Sequence, residues 1–512
     1  MNKFIKIVGA VAIINVVARL FGFFREMIIG FQYGSSYIAD SIFTAYMIPN
    51  FLYLVMGGAF TTAVISIYNR ETTNQALFVK QSFTIVLTTV FLMTIVMLLL
   101  TNPIMELFNK EKITSGMSDG DINLTKHLYY WMMPSSIFLV LSSWYSGLLN
   151  VHEKFHLSSF AILIYNVIFL VIAVAMSYIV GPIAYGISAL ASAVLMVYFL
   201  IIGYRRLKAF PVGITFERSL SSKQLWIMVM PIMLGGATIQ LYALLQRFFA
   251  GMLSEGAIAS VNYASKLMQF PQAILITAVT TVIYPILSMK EASHDQASIK
   301  SLYSKGLHYL LLLLVPVTIF SYFYSTNLVQ VIFQYGNFDD KSTAITSPVL
   351  AIFVLSMYFL AANTYITRFY YAKGDSIAPV VFSLFNVFGV NIAVIMLLVD
   401  NLGAEAIAWG TLISAVLNFV MLVIYANYKY NLKMGIFTKE IQFFRAIPPM
   451  IIITIVLFFS SKYLVFDYKW LTFLTGVAIF SVTLSATYFV FGIREVQDYL
   501  LKLQKKAWKK MN

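Results

Sequence analysis

Two arginines, a glutamate and an aspartate stand inside the run RLFGFFREMIIGFQYGSSYIAD, residues 19–40, which otherwise reads as membrane helix. An ionisable side chain at that depth is costly and ordinarily faces a partner or a water-filled cavity. Arg19 and Glu26 are seven residues apart, hence on one helix face two turns apart, while Arg25 points about 120° away from Arg19. One reading is structural, with Arg19–Glu26 and Arg25–Asp40 as ion pairs. That reading leaves Arg247 and Lys266 without an acid, because no Asp or Glu lies between Lys223 and Glu255. The other reading is a cavity in which four cations face two anions and which binds an anion. Arginine suits a phosphate, since its planar fork donates two hydrogen bonds at once. On this reading Arg19, Arg25, Arg247 and Lys266 bind substrate, and Glu26, Asp40, Asn262 and Gln269 are the supporting polar residues. Asn262, Lys266 and Gln269 follow i, i+4, i+7 spacing and form one polar stripe. Pro49, Gly57, Gly58 and Pro271 are hinge candidates for helices that bend as the cavity changes side. Ordinary kinking and close packing explain the same residues equally well, the glycines above all.

The elements that must hold these side chains follow from composition. With 60% hydrophobic and 11% charged residues, the 512-residue chain is far more apolar than a soluble protein, and its mean hydropathy is +0.82. It reads as an all-α polytopic membrane protein. The absence of cysteine excludes disulfides, thiolate metal sites and cysteine nucleophiles. The five histidines form no metal pattern, and His152 and His156 in NVHEKFHL read as a wet loop. Lys3 and Lys6 precede an apolar run without a small-residue cleavage site, so that run reads as a retained first helix.

Apolar stretches long enough to cross ~30 Å of hydrocarbon number fourteen: 4–31, 37–66, 77–100, 126–149, 159–180, 185–204, 225–252, 257–287, 306–326, 347–371, 377–399, 404–427, 444–461 and 468–491. Of the 35 basic residues only Lys110, Lys112, Lys126, Lys341, Lys462 and Lys469 fall on the outer side when both termini are placed in the cytoplasm. The net charge of +14 reflects this bias and the tail KLQKKAWKK, which suits an anionic inner leaflet better than nucleic acid. The longest outer connection, TNPIMELFNKEKITSGMSDGDINLT, is too short for an extracellular domain. Any function must therefore reside within the bundle.

Sliding the chain against itself by 222 residues superposes Arg25 on Arg247, Gly34 on Gly256, Asp40 on Asn262, Pro49 on Pro271 and Ser66 on Ser288. Six spans per repeat make the two halves parallel, one of the two repeat architectures of transporters, with the substrate site between halves. The expected lobes are 1–217 and 218–430, followed by two additional helices and a basic tail over 431–512.

The stretch RLFGFFREMIIGFQYGSSYIADSIFTAYMIPN…GGAF, together with NYASKLMQFP, resembles the motifs of the MurJ/MviN lipid II flippases, within the multidrug/oligosaccharidyl-lipid/polysaccharide exporter superfamily. The resemblance spans essentially the whole chain. It implies a V-shaped bundle of fourteen helices that alternates between inward and outward openings, a central cationic cavity for the diphosphate of lipid II, and a lipid-tail groove at the last two helices. It implies a bacterial inner-membrane transporter, not an enzyme, that needs no cofactor or resident metal and whose partners are its lipid-linked substrate, membrane lipids and possible wall-synthesis enzymes. By motif position Arg19, Arg25, Glu26 and Asp40 match charged positions of the family's first two spans, and Lys266 stands where the family has a functional arginine. The chain departs from the pattern at FLYLVMGGAF, where Tyr53 and Leu54 replace an arginine pair and Gly57 a glutamate, and at ASKLMQFP. Another polyprenyl-diphosphate-linked glycan, of capsule or teichoic type, is the alternative cargo. Arg247 is assigned from the repeat and not from the motif.

Other classes fit less well. A drug or cation antiporter calls for an acidic cavity, and a membrane glycosyltransferase for a catalytic outer loop or paired carboxylates. A transporter-like scaffold would show no substrate-dependent change in cavity access. Asn386 and Asn391 offer oxygen ligands to a coupling cation, but packing asparagines look the same, and no metal site is assigned.

Overall fold

In hydrocarbon every backbone N–H and C=O must find its partner within the protein, which leaves a chain of this composition little choice but helix. A computed structural model describes residues 3–71, 74–108, 119–217, 220–433 and 443–493, and every regular element among them is helical. Lys110, Lys112 and the KLQKKAWKK tail lie outside the described residues.

Helices α1 (Lys3–Tyr33), α2 (Tyr37–Leu52), α3 (Gly58–Arg70), α4 (Gln75–Leu99), α5 (Thr101–Phe108), α6 (Asp119–Met132), α7 (Ser135–Val151), α8 (Phe155–Val180), α9 (Ile183–Arg205) and α10 (Leu220–Ala250) precede α11 (Ala257–Ala292). After it come α12 (Gln296–Phe323), α13 (Ser325–Ile332), α14 (Asp340–Leu355), α15 (Met357–Ala372), α16 (Ile377–Leu384), α17 (Ile392–Leu402), α18 (Ala404–Tyr430), α19 (Phe443–Tyr463) and α20 (Lys469–Val490). Ten helical stretches among the described residues are long and apolar enough to cross a membrane, or eleven if α14 and α15, bent by 41°, form one span. The chain is a many-pass membrane protein.

Two compact units emerge, Met1–Asn262 with Gly336–Phe338, and Tyr263–Tyr335 with Asp339–Asn512. The division falls inside α11, because α10 packs with α2, α3 and α4.

Within the first unit α1 lies along α8, where the Asn166 side chain donates to the Ala18 carbonyl at 3.1 Å beside Gly22. Trp144 of α7 is fully buried and donates to Ser82 of α4 at 3.1 Å, so the indole N–H is satisfied in the apolar core. His152, expected in a wet loop, instead packs against the rings of Tyr68 and Tyr204. Burial there lowers its pKa below the ordinary imidazole value.

The second unit binds its last two helices through aromatic side chains. Phe320 stacks on Tyr324 and Phe480 at 5.0 Å each, and the Tyr324 hydroxyl donates to Ser460 at 3.0 Å. Tyr488 donates to the Leu312 carbonyl at 2.6 Å. Asp295 and Asp339 cap α12 and α14 by accepting from the N–H groups of Ser298 and Ser342, which satisfies donors that an α-helix leaves open at its start.

Among the described residues two π-helical turns interrupt the α-helices, at Tyr53–Gly57 and Phe385–Asn391. The first follows Pro49, whose ring cannot donate an N–H. Gly57 is there because a β-carbon would run into the Ser143 side chain, whereas Gly58 faces open space. Pro271, the other hinge candidate, lies within the continuous helix α11.

Left-handed backbone positions recur along the chain. Gly34 and Gly256, and Gly181 and Gly403, are pairs 222 residues apart; Glu153 and Gly374, and Lys208 and Asn431, are within one residue of that spacing. His294 and Gly336 fall opposite positions 72 and 114, outside the described residues. The short helices α5 and α13, read from sequence as outer-loop backbone, begin 224 residues apart.

Candidate anion site

Glu26 is the hub of the buried charges in the first unit. It is 2% exposed, and its two carboxylate oxygens take different donors: Oε1 accepts from Arg25 at 2.9 Å and Oε2 from the Asn262 amide at 2.9 Å. The carbonyl oxygen of that amide accepts from Arg247 at 3.1 Å, and Arg247 also donates to the Phe43 carbonyl of α2 at 3.0 Å. Four side chains from α1, α10 and α11 thus form one chain, Arg25–Glu26–Asn262–Arg247, in which each polar link is complementary. The chain holds two guanidinium groups and one carboxylate, a formal charge of +1, with Asn262 standing between Glu26 and Arg247.

Aromatic rings complete the surroundings of Arg25. Its guanidinium carbon is 4.8 Å from the centroid of Tyr46 and 5.1 Å from that of Phe169, within the range of cation–π attraction. Tyr46 and Tyr165 hydroxyls are 3.1 Å apart. Sequence reasoning missed these rings, since Tyr165 and Phe169 come from the fifth span and nothing in their local pattern distinguishes them from ordinary packing aromatics.

The ion-pair alternative does not survive the geometry. Glu26 is bonded to its neighbour Arg25 and not to Arg19. Consecutive helical residues do not face each other, but Arg25 is long enough to fold back when Tyr46 and Phe169 hold its head group. Arg19 is exposed. Asp40, the expected partner of Arg25, is engaged elsewhere. Its carboxylate accepts from the Gly256 N–H at 2.9 Å and the Ala259 N–H at 2.7 Å, at the first turn of α11. A buried carboxylate is well placed at a helix start, where open N–H donors and the positive end of the helix dipole coincide. Glu255 accepts from the Tyr37 N–H at the start of α2 at 2.9 Å, so each of these helix starts is capped by an acid from the other turn.

The structure therefore joins Arg25, Glu26, Arg247 and Asn262, and seats Asp40 at the neighbouring helix start. Lys266, half-buried, and Gln269, exposed, belong to the second unit, further along α11. Among the described residues no group of three or more His, Asp or Glu is gathered in a way that suits a metal ion.

Comparison with known proteins matches this architecture. The family model described as "Lipid II flippase MurJ" matches residues 32–483. A "Probable lipid II flippase MurJ" of Rickettsia prowazekii is 27% identical over 488 residues, covering 92% of this chain and 95% of that protein. A "Lipid II flippase MurJ" of Burkholderia cenocepacia is 27% identical over 378 residues, covering 72% and 73%. Among solved structures, "Lipid II flippase MurJ, inward closed conformation" superposes with a TM-score of 0.79 at 21% identity, covering 93% of this chain and 98% of that one. An inward-facing multidrug resistance MATE transporter of the MOP superfamily gives a TM-score of 0.66 at 11% identity, covering 81% and 99%.

Proposed function

Because the chain belongs to the lipid II flippase MurJ family, we propose that it carries lipid II, a lipid-linked peptidoglycan precursor, from the inner to the outer leaflet of the bacterial inner membrane. It does so as a transporter, with no bond made or broken in the cargo. The observation that carries the site is the buried chain Arg25–Glu26–Asn262–Arg247, whose surplus positive charge suits a diphosphate. Arg25 and Arg247 grip the phosphates, while Arg19 and Lys266 add cationic character.

Two six-helix lobes, 1–217 and 218–430, and a pair of additional helices over 431–512 describe the transport unit. The recurrence of left-handed positions near a 222-residue offset supports that repeat. Helices α1, α10 and α11 bring the ten spans and the bent pair to fourteen; at 31, 31 and 36 residues they are long enough to cross, and they carry Arg25, Arg247 and Lys266. Both termini lie in the cytoplasm. Alternating access then requires the caps by Asp40 and Glu255 to open and reform, with Pro49 and Pro271 as bending points.

Restoring growth to cells depleted of their only lipid II flippase tests the cargo. Growth supports lipid II; failure of a well-expressed, correctly inserted protein favours a capsule- or teichoic-type precursor. The orientation is tested separately, by cysteine at Ser115, which should react with an impermeant reagent from outside, and at Ser221, which should not.

A further inference from the structure

Phenol groups gather beside Arg25 in numbers that binding a bare phosphate does not require. Tyr46 comes from α2, Tyr53 from the π-helical turn and Tyr165 from α8. The Tyr46 and Tyr165 hydroxyls make one hydrogen bond to each other at 3.1 Å, yet together they own two protons. Whichever donates, the other's O–H has no acceptor among the described residues. Tyr165 is 6% exposed, so when Tyr46 donates the spare proton is held in a largely dry place, where an unused donor is costly. Tyr53 follows Tyr46 by seven residues along the same helical run, so it lies on the same face about two turns further on. Tyr46 and Tyr53 are half-buried, which leaves part of each accessible.

Flat apolar faces tipped with hydroxyls, next to a guanidinium, match a particular ligand chemistry. A pyranose ring has one face of C–H groups that lies against an aromatic ring, and an edge of hydroxyls that exchange hydrogen bonds with phenols. A phosphate on its anomeric carbon would then fall at Arg25. We propose that Tyr46, Tyr53 and Tyr165 form a subsite for the sugar joined directly to the diphosphate, so that the protein recognises the glycan as well as the charge. This rests on the flippase reading above. A site built to hydrogen-bond a hydroxyl discriminates strongly against a ligand lacking it, because its own polar groups are then left unpaired.

Tyrosine-to-phenylalanine changes isolate the hydroxyls, since they keep the ring and hence the cation–π contact with Arg25. The affinity of purified protein is measured for a polyprenyl diphosphate and for the same lipid carrying its glycan. In the combined Tyr46→Phe, Tyr53→Phe, Tyr165→Phe variant the glycan-bearing lipid should bind about tenfold more weakly, as expected for one or two lost hydrogen bonds, with the bare diphosphate unchanged. If the combined variant does not fold, Tyr53→Phe alone, at a half-buried position, should show the same selective loss at about threefold. Equal weakening of both ligands, or of neither, would overturn the sugar subsite alone. A wild-type protein that binds neither lipid would overturn the flippase reading and the subsite with it.

Discussion

The two units bury polar side chains in opposite ways. In the first, the buried groups are ionised and linked: Glu26 touches Arg25 and Asn262, and Arg247 completes the chain. In the second, no Asp, Glu, Lys or Arg is among the buried described residues; hydroxyls and amides take that place, the amides including Asn386 and Asn391 at 0% exposure and Asn363 at 9%. Several of their atoms lack a partner among the described residues, namely the side-chain oxygens of Asn363 and Asn386 and both polar atoms of Asn391. An unpaired charge in such a place is far more expensive than an unpaired amide. The difference teaches where each unit tolerates disorder in its hydrogen bonding: a charge demands a complete network, whereas an asparagine beside a π-helical turn can persist without one.

The comparison breaks most visibly at the arginines. Arg25→Ala or Arg247→Ala should reduce lipid transport in reconstituted vesicles by some tenfold to a hundredfold, from the loss of a charged hydrogen bond of about 1.5–3 kcal/mol to the cargo. Lysine should rescue only partly, because it keeps the charge and loses the fork. Undiminished transport by Arg247→Ala would show that the chain is scaffolding and not a phosphate grip.

Glu26→Gln is the next test. It leaves Arg25 without its paired carboxylate and the chain without its one negative charge, and breaking a buried pair costs about 3–5 kcal/mol when one partner stays behind. Thermal unfolding in detergent should therefore shift down by several degrees, and adding Arg25→Gln should recover much of the shift. Independent, additive losses from the two changes would contradict the linkage.

The smallest effect is expected in the second unit. Asn391→Leu replaces an amide with no partner by an apolar group of similar size, so stability should stay within about 1 kcal/mol of wild type or rise. A large loss of transport at unchanged stability would assign that asparagine a role that its geometry does not reveal.

Much of the fold was legible because bilayer thickness turns apolar length into helix length; the span read at 404–427 is the helix Ala404–Tyr430, and the one at 468–491 is Lys469–Val490. The registration of Gly34 with Gly256 was equally readable, since a left-handed turn selects glycine in both places. The pairing of the charges was not. Helical spacing directs Glu26 toward Arg19, and only the rings of Tyr46 and Phe169, distant in sequence, hold Arg25 where it meets its neighbour. The π-helical turns escaped for a related reason: a π turn differs from an α turn by one residue in its hydrogen-bond ladder, which apolar composition does not register.

The cap that Asp40 places on the start of α11 also bears on how such a contact is inherited. It accepts from the backbone N–H groups of Gly256 and Ala259, donors that every residue but proline carries, although the left-handed turn keeps glycine at 256. A bond to a main-chain donor asks for no matching side chain, so neither of these two bonds by itself leaves a paired signature in a family of diverging sequences. Correlated substitution, which detects side chains that must fit each other, is blind to such bonds, and proline at position 259 would delete one of the two by removing its donor.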